Sequence, residues 1–402
     1  VVIFARRPFV FRRPQLTALL LAAFAFLGPS VATAKGPQIE ARSWALIDAN
    51  SGDALVSHAA KRHLPIASTT KLMTAYVVLH ELPLDRMVRA APYEAEYGES
   101  LLGLRPGQRI SVRDLLYGLI LRSGNDAAYD LALAAAGSEQ RFVAEMNRYA
   151  AALGLADTHY ANPIGLDQRG NYSSAADLAT LTRHLLAIPA FAKIADARSA
   201  VLRSVHPRRR ITTINELLRM APWVTGVKTG HTFGALYVLV GSGRRRGVKL
   251  ISVAVGAPTD EDRFADNIDL LDYGFSLYKR RVPVKAGAVL ARPAIRYSGG
   301  ELPLRAARTI AVGLRRGQRM SVVVSAPDEV EGPIGRGAAL GRASVYVEGR
   351  RTASVPLRAA HAVAEASLLE RVGSFLDDEK IPVGIALCVI LVGAVLLRRF
   401  SR

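Results

Sequence analysis

The alternation of apolar and polar residues along "SWALIDANSGDALVSH", Ser43 to His58, breaks at Asn50-Ser51-Gly52 and predicts a β-hairpin. "IASTTKLMTAYVVL", Ile66 to Leu79, is apolar on nearly every face and predicts a buried helix that opens on a polar turn. Residues 85–110 are mixed and contain the turn "LRPGQRI". From Val112 the period becomes helical through "VRDLLYGLILRSGNDAAYDLALAAAG" and "RFVAEMNRYAAALGL". "YSSAADLATLTRHLLA" predicts a further helix, with Ser173 or Ser174 as its cap and Asp177 in its first turn. In "ALYVLVGSGRRRGVKLISVAVGAP" two β-rich runs flank Gly243 to Gly247, a hairpin signal, and "DRFADNIDLLDYGFSLYKR" returns to helix. Helices in the middle and strands at both ends predict one α/β domain over 35–281, whose sheet pairs strands distant in sequence.

The texture changes after Arg281. Short β-rich runs such as "MSVVVSA" and "ASVYVEG", separated by Gly and Pro, predict a small all-β domain over 282–360. "AVAEASLLERVGSFLDDEK" predicts a helical stalk over 361–380. Residues 381–397 carry no charge and precede Arg398, Arg399 and Arg402. That pattern predicts a membrane helix with a cytoplasmic tail, 398–402. At the other end, four arginines precede the apolar run Leu16 to Leu27 and the small-x-small site Ala32-Thr33-Ala34. Residues 1–34 therefore read as a signal peptide.

Composition narrows the partners. The 402 residues are 50% hydrophobic and 22% charged, which suits two or more globular domains. The only cysteine, Cys388, excludes an intrachain disulfide. A net charge of +19 raises the question of nucleic acid. In a secreted and anchored chain it points instead to anionic lipid or an anionic cell wall, or to an Arg-rich bias with no partner. The expected location is the outer side of a bacterial cytoplasmic membrane.

Ser68 and Lys71 stand one helical turn apart. A serine hydroxyl needs a base, and a lysine can supply it once desolvation or a nearby cation has lowered its pKa. Leu72, Met73 and Val77 would desolvate this one. A second Ser-x-x-Lys, Ser276 to Lys279, reads as a solvated helix end. "LRSGNDAAYD" adds Ser123 and Asn125 in a loop between helices, and "GVKTGHT" adds Lys228, Thr229, Gly230 and His231 before the hairpin. A cation at 228 could bind a substrate carboxylate and depress Lys71. Gly230 would let a substrate backbone lie flat against a strand.

The order Ser-x-x-Lys, Ser-x-Asn, Lys-Thr-Gly resembles the low-molecular-weight penicillin-binding proteins, the serine D-alanyl-D-alanine carboxypeptidases. "LLGLRPGQRISVRDLLYGLILRSGNDAAYDLA", "ALGLADTHYANPIGLD" and "LISVAVGAP" are similar to the same family. The resemblance implies a serine DD-peptidase/β-lactamase-like fold, an antiparallel sheet with a helical subdomain. It implies Ser68 as nucleophile, Lys71 as proton acceptor and Ser123 as proton relay to the leaving amine. Asn125 would bind the substrate's peptide carbonyl, and Lys228 and Thr229 its terminal carboxylate. The backbone N–H groups of Ser68 and His231 would form the oxyanion hole. The substrate would be a peptidoglycan stem peptide ending in D-Ala-D-Ala, with β-lactams as covalent inhibitors and no cofactor or metal. Thr225 and Ile214 depart from the family, where many relatives carry Asp and some a basic residue. The alternatives are a β-lactamase, a D,D-endopeptidase or transpeptidase, and an inactive wall-binding protein. The Glu-x-x-Leu-Asn of class A β-lactamases is missing, since no Leu-Asn pair occurs. Neither His-Glu-x-x-His nor Gly-x-Ser-x-Gly is present.

Overall fold

The structure, a computed structural model, describes residues 36–371. The expected signal segment, the end of the stalk, the membrane span and the tail lie outside them. The described chain divides into two compact units, 36–278 and 279–371.

The first unit opens with β1 (Ser43–Asp48) and β2 (Ala54–His58), the expected hairpin. A 3-10 turn, Ala67–Thr70, then leads into α1 (Lys71–Glu81). Short strands β3 (Met87–Arg89) and β4 (Arg109–Ser111) pair with each other. The helices α2 (Val112–Leu121), α3 (Asn125–Ala136), α4 (Glu139–Ala152), α5 (Ala175–Ala187) and α6 (Pro189–Ala195) follow. A hairpin of β5 (Ser199–Leu202) and β6 (Arg209–Thr212) and the short α7 (Leu217–Met220) lead to β7 (Val224–Thr232), β8 (Leu236–Arg245) and β9 (Val248–Ala257). The unit closes with α8 (Asp260–Ser276).

The main sheet has the order β2-β1-β9-β8-β7 and is antiparallel throughout. The strand β1 from one end of the unit lies against β9 from the other, as the pattern predicts. Adjacent residues serve opposite faces. Ile47, Ile251 and Val240 join the large core under α1, α2, α3 and α5, whereas Leu46, Leu250 and Leu239 pack towards α8 or α7. Both faces are covered, so the strands read as continuous apolar runs rather than alternating ones. The helix α1 sits inside the large core, with Leu72, Met73, Ala75, Val77 and Val78 all buried, which explains its missing polar face.

Ser174, rather than Ser173, caps α5 by accepting from the Asp177 N–H. The helical run from Val112 is two helices, broken where Ser123 takes a φ of +59°. Ser276 ends α8, but Lys279 lies in the strand that follows, so this second Ser-x-x-Lys is not one helical end.

In the second unit, residues 279–359 form strands and turns around a core that includes Leu304, Ile310, Val345 and Leu357. Strands Val289–Ala291, Leu304–Ala306, Arg350–Ala359, Ala339–Val347 and Met320–Ser325 make its largest sheet, in that order. The stalk expected from 361 begins to coil only at 368. Val363 is held extended by paired backbone hydrogen bonds with Ile334, which outcompete helix at that point. Among the described residues no helix is long and apolar enough to cross a membrane.

Candidate active site

Ser68 lies in the 3-10 turn before α1, and Lys71 is the first residue of α1. The Thr69 hydroxyl and N–H both bond the Ile66 carbonyl, which fixes this turn. The spacing of three brings the Lys71 Nζ to 2.8 Å from the Ser68 Oγ. A second acceptor, the Ile164 carbonyl, holds the same Nζ at 2.6 Å. Lys71 is fully buried, among the apolar neighbours the sequence offers. Burial pushes its pKa down to about 7, against the carboxylates of Glu99 and Asp126, which pull it up. A lysine at that value can take a proton from serine near neutral pH.

The carbonyl of Ile164 is itself placed. The Asn162 Oδ1 accepts the N–H groups of Ile164 and Gly165, and the Thr74 hydroxyl of α1 donates to the Pro163 carbonyl at 2.6 Å. Gly165 has a φ of +92°, and a Cβ there would stand 2.1 Å from the Ala67 carbonyl oxygen. The loop thus closes directly on the turn that carries Ser68.

Ser123 is buried in the break between α2 and α3, and its Oγ accepts from the Lys228 Nζ at 2.9 Å. Lys228 comes from β7 and also donates to the Thr229 carbonyl. Burial, together with repulsion from Lys71 and Arg263, pushes the Lys228 pKa well below its ordinary value. The two ammonium groups repel each other, so whichever protonates second feels the other most. The expected depression by a neighbouring cation falls on Lys228, which Lys71 and Arg263 lower in addition to burial, whereas Lys71 is lowered by burial.

Asn125 heads α3 and donates from Nδ2 to Glu99 at 2.6 Å. Thr229 is buried beside Lys228 in β7, the edge strand of the main sheet. Gly230 has a reason beyond the one read from sequence. A Cβ there would lie 3.0 Å from the Ala67 Cβ and 3.1 Å from the Ser68 nitrogen, so β7 needs glycine to approach the protein's own turn. His231 is exposed, and its ring stacks on Tyr237 at 4.3 Å. Thr225 pairs with Ser242 across β7 and β8, and Ile214 bonds through its N–H to the Leu121 carbonyl.

Ser68, Lys71, Ser123, Lys228, Thr229 and Gly230 are thus linked into one cluster by hydrogen bonds, chain neighbourhood and close approach. Asn125 enters it through Glu99, whose charge reaches Lys71. Sequence reasoning missed four supports. Glu99 and Tyr93 hold Asn125; Asp126 accepts the N–H groups of Leu102, Gly103 and Leu104; Arg263 donates to the Gly230 carbonyl at 2.9 Å. The Asp beside Asn125 in "SGND" is the one local signal among them. No cluster of His, Cys, Asp or Glu among the described residues is arranged to hold a metal ion.

A serine paired with a buried lysine, and a second serine paired with a second buried lysine, define an acyl-transfer site of the serine–lysine class. The family model for D-alanyl-D-alanine carboxypeptidases, peptidase S11, matches residues 30–259, and the chain belongs to that family. It is 33% identical to the D-alanyl-D-alanine carboxypeptidase DacC of Escherichia coli strain K12, over 86% of this chain and 89% of that one. It is 31% identical to DacF of Bacillus subtilis strain 168, over 82% and 87% respectively. The solved structure of penicillin binding protein 5 from Haemophilus influenzae is similar, with a TM-score of 0.57 and 29% identity, covering 82% of this chain and 99% of that one.

Proposed function

We propose that this chain removes the terminal D-Ala from peptidoglycan stem peptides that end in D-Ala-D-Ala, through an acyl-enzyme on Ser68. The observation that carries the reading is the 2.8 Å contact between the Ser68 hydroxyl and a fully buried lysine. Neutral Lys71 takes the Ser68 proton as Oγ attacks the carbonyl of the penultimate D-Ala. The oxygen of that carbonyl becomes an oxyanion, for which the N–H groups of Ser68 and His231 are the donors. The close approach of Gly230 to the Ser68 nitrogen supports that pairing, because His231 is the next residue along β7. The C–N bond then breaks. The leaving amine gains its proton through Ser123, whose hydroxyl is held by Lys228. Lys228 and Thr229 hold the departing carboxylate, and Asn125 the carbonyl of the substrate's backbone. Lys71 has by then returned, through the Ser123 hydroxyl, the proton it took from Ser68, so it is neutral again. Water attacks the acyl-enzyme and gives its proton to Lys71, and Lys71 passes it to the Ser68 Oγ as the acyl–oxygen bond breaks.

The test is mass analysis of a peptide ending in D-Ala-D-Ala after incubation with the protein. Loss of one alanine is expected, and none with Ser68→Ala. Loss of D-Ala by the variant at the wild-type rate would remove Ser68 from the mechanism. Transfer of the acyl group to an added amine in place of water would make the chain a transpeptidase.

The uncharged run 381–397, followed by three arginines, supports an anchor that holds the site on the outer side of the cytoplasmic membrane. The segment 282–360 fits a spacer between site and anchor. A chain ending at Asp378 should then fractionate away from membranes with its activity kept. Sedimentation of that chain with membranes would place the anchor elsewhere.

A further inference from the structure

Among the described residues Glu99 is the one carboxylate hydrogen-bonded to a side chain of the proposed site, and no step above uses it. Its Oε2 accepts from the Asn125 Nδ2 at 2.6 Å and from the Tyr93 hydroxyl at 2.5 Å. Its Oε1 accepts the N–H of Glu96 at 3.0 Å. The carboxylate therefore has three donors from its own loop and from α3, which fix it in place although it is only half-buried. Asn125 is buried, and its backbone N–H is also held by this loop, through the Ser100 carbonyl at 2.8 Å.

We propose that Glu99 is a positioning residue for the reaction: it sets which way the Asn125 carboxamide faces, and so which of its atoms meets the substrate. A carboxamide can turn over by 180° with little change in shape. An ionised carboxylate only accepts, so the amide must face Glu99 with nitrogen. The second N–H and the carbonyl oxygen of Asn125 are then fixed on its other sides. An unpinned amide would spend part of its time with oxygen where a substrate carbonyl needs a donor.

Glu99 is held in its charged form. Burial opposes that charge, but hydrogen bonds from Tyr93, Asn125 and the Glu96 N–H, with the Lys71 charge behind them, bring the carboxyl below its ordinary value. Tyr93 is pushed up by burial and by Glu99, so its phenol stays a donor. Glu99 also raises Lys71, together with Asp126 of α3. Lys228 on β7 feels the charges of Lys71 and of Arg263 of α8, beside its burial.

The proposal rests on Asn125 facing the substrate, and the experiment separates the two. The second-order rate of acylation by a labelled penicillin is measured from pH 5 to 9, with melting temperature recorded for each variant. Glu99→Leu is expected to slow acylation on the order of tenfold or more. It should also move the acid limb of the profile to lower pH, because Lys71 loses an anion that raised it. Glu99→Gln restores an acceptor without the charge, so it should recover part of the rate and keep the shifted limb. Asn125→Ala should be slowed, and the pair Asn125→Ala with Glu99→Leu no further, since both act through one amide. Wild-type rates and an unmoved limb in Glu99→Leu overturn the proposal, as does full additivity in the pair. A wild-type chain that takes no label, or takes it away from Ser68, overturns the underlying reading instead.

Discussion

Lys71→Arg is expected to lose acylation by about a thousandfold, whereas Lys228→Arg keeps within about tenfold of the wild-type rate. The two lysines are both buried and both hydrogen-bonded to a serine, yet the proposed chemistry asks different things of them. Lys71 must accept a proton, and arginine stays charged at every accessible pH. Lys228 offers a cation and a donor, which arginine also supplies. The pH profile carries the same division. With Lys71 held at about 7, acylation should fall as the pH drops below that value, because the amine is then protonated and cannot act as base. Equal losses in the two variants, or an active Lys71→Arg, would show that the roles are assigned wrongly.

The second large effect is expected 97 residues after Ser68. Gly165→Ala places a methyl group 2.1 Å from the Ala67 carbonyl oxygen, in a backbone conformation that L-residues rarely adopt. Neither partner can retreat cheaply. Gly165 is tied by its N–H to the Asn162 side chain at 2.6 Å, and Ala67 begins the turn that carries Ser68. The substitution should cost about 3 kcal/mol by denaturant unfolding. Acylation at a temperature where the variant is fully folded should fall by a hundredfold or more, since the displaced loop also carries the carbonyl that holds Lys71. A variant that unfolds and acylates like the wild type would mean the loop yields easily and does not position the pair.

What the sequence made legible was whatever depends on near neighbours. Ser68 and Lys71 meet because three residues make one helical turn, and "SGN" and "KTG" each bring their members together within a single turn or strand. The β-rich runs flanking Gly243 to Gly247 announced the hairpin of β8 and β9. The rest depends on contacts across long stretches of chain. The second acceptor of Lys71 is a backbone carbonyl 93 residues away, and a main-chain oxygen leaves no trace in residue type. Glu99 and Asp126 look like ordinary surface acids until the fold turns them onto Asn125 and onto three consecutive N–H groups. The break at Ser123 was legible too, because Ser, Gly and Asn follow one another between two apolar helical runs, although Asn125 itself proves to be the first residue of α3. The β5–β6 hairpin was hidden by its arginines, which mask any alternation. Gly230 was read as clearance for a substrate, and the approach of β7 to the Ser68 turn gives it an internal reason as well.

The central claim is that Ser68 forms the acyl-enzyme, and peptide mapping of the penicillin-treated protein by mass spectrometry tests it most directly. The expected result is one penicilloyl adduct on the peptide that contains Ser68, absent from Ser68→Ala and unchanged in Ser276→Ala. An adduct on any other residue, or an undiminished adduct in Ser68→Ala, would contradict the account.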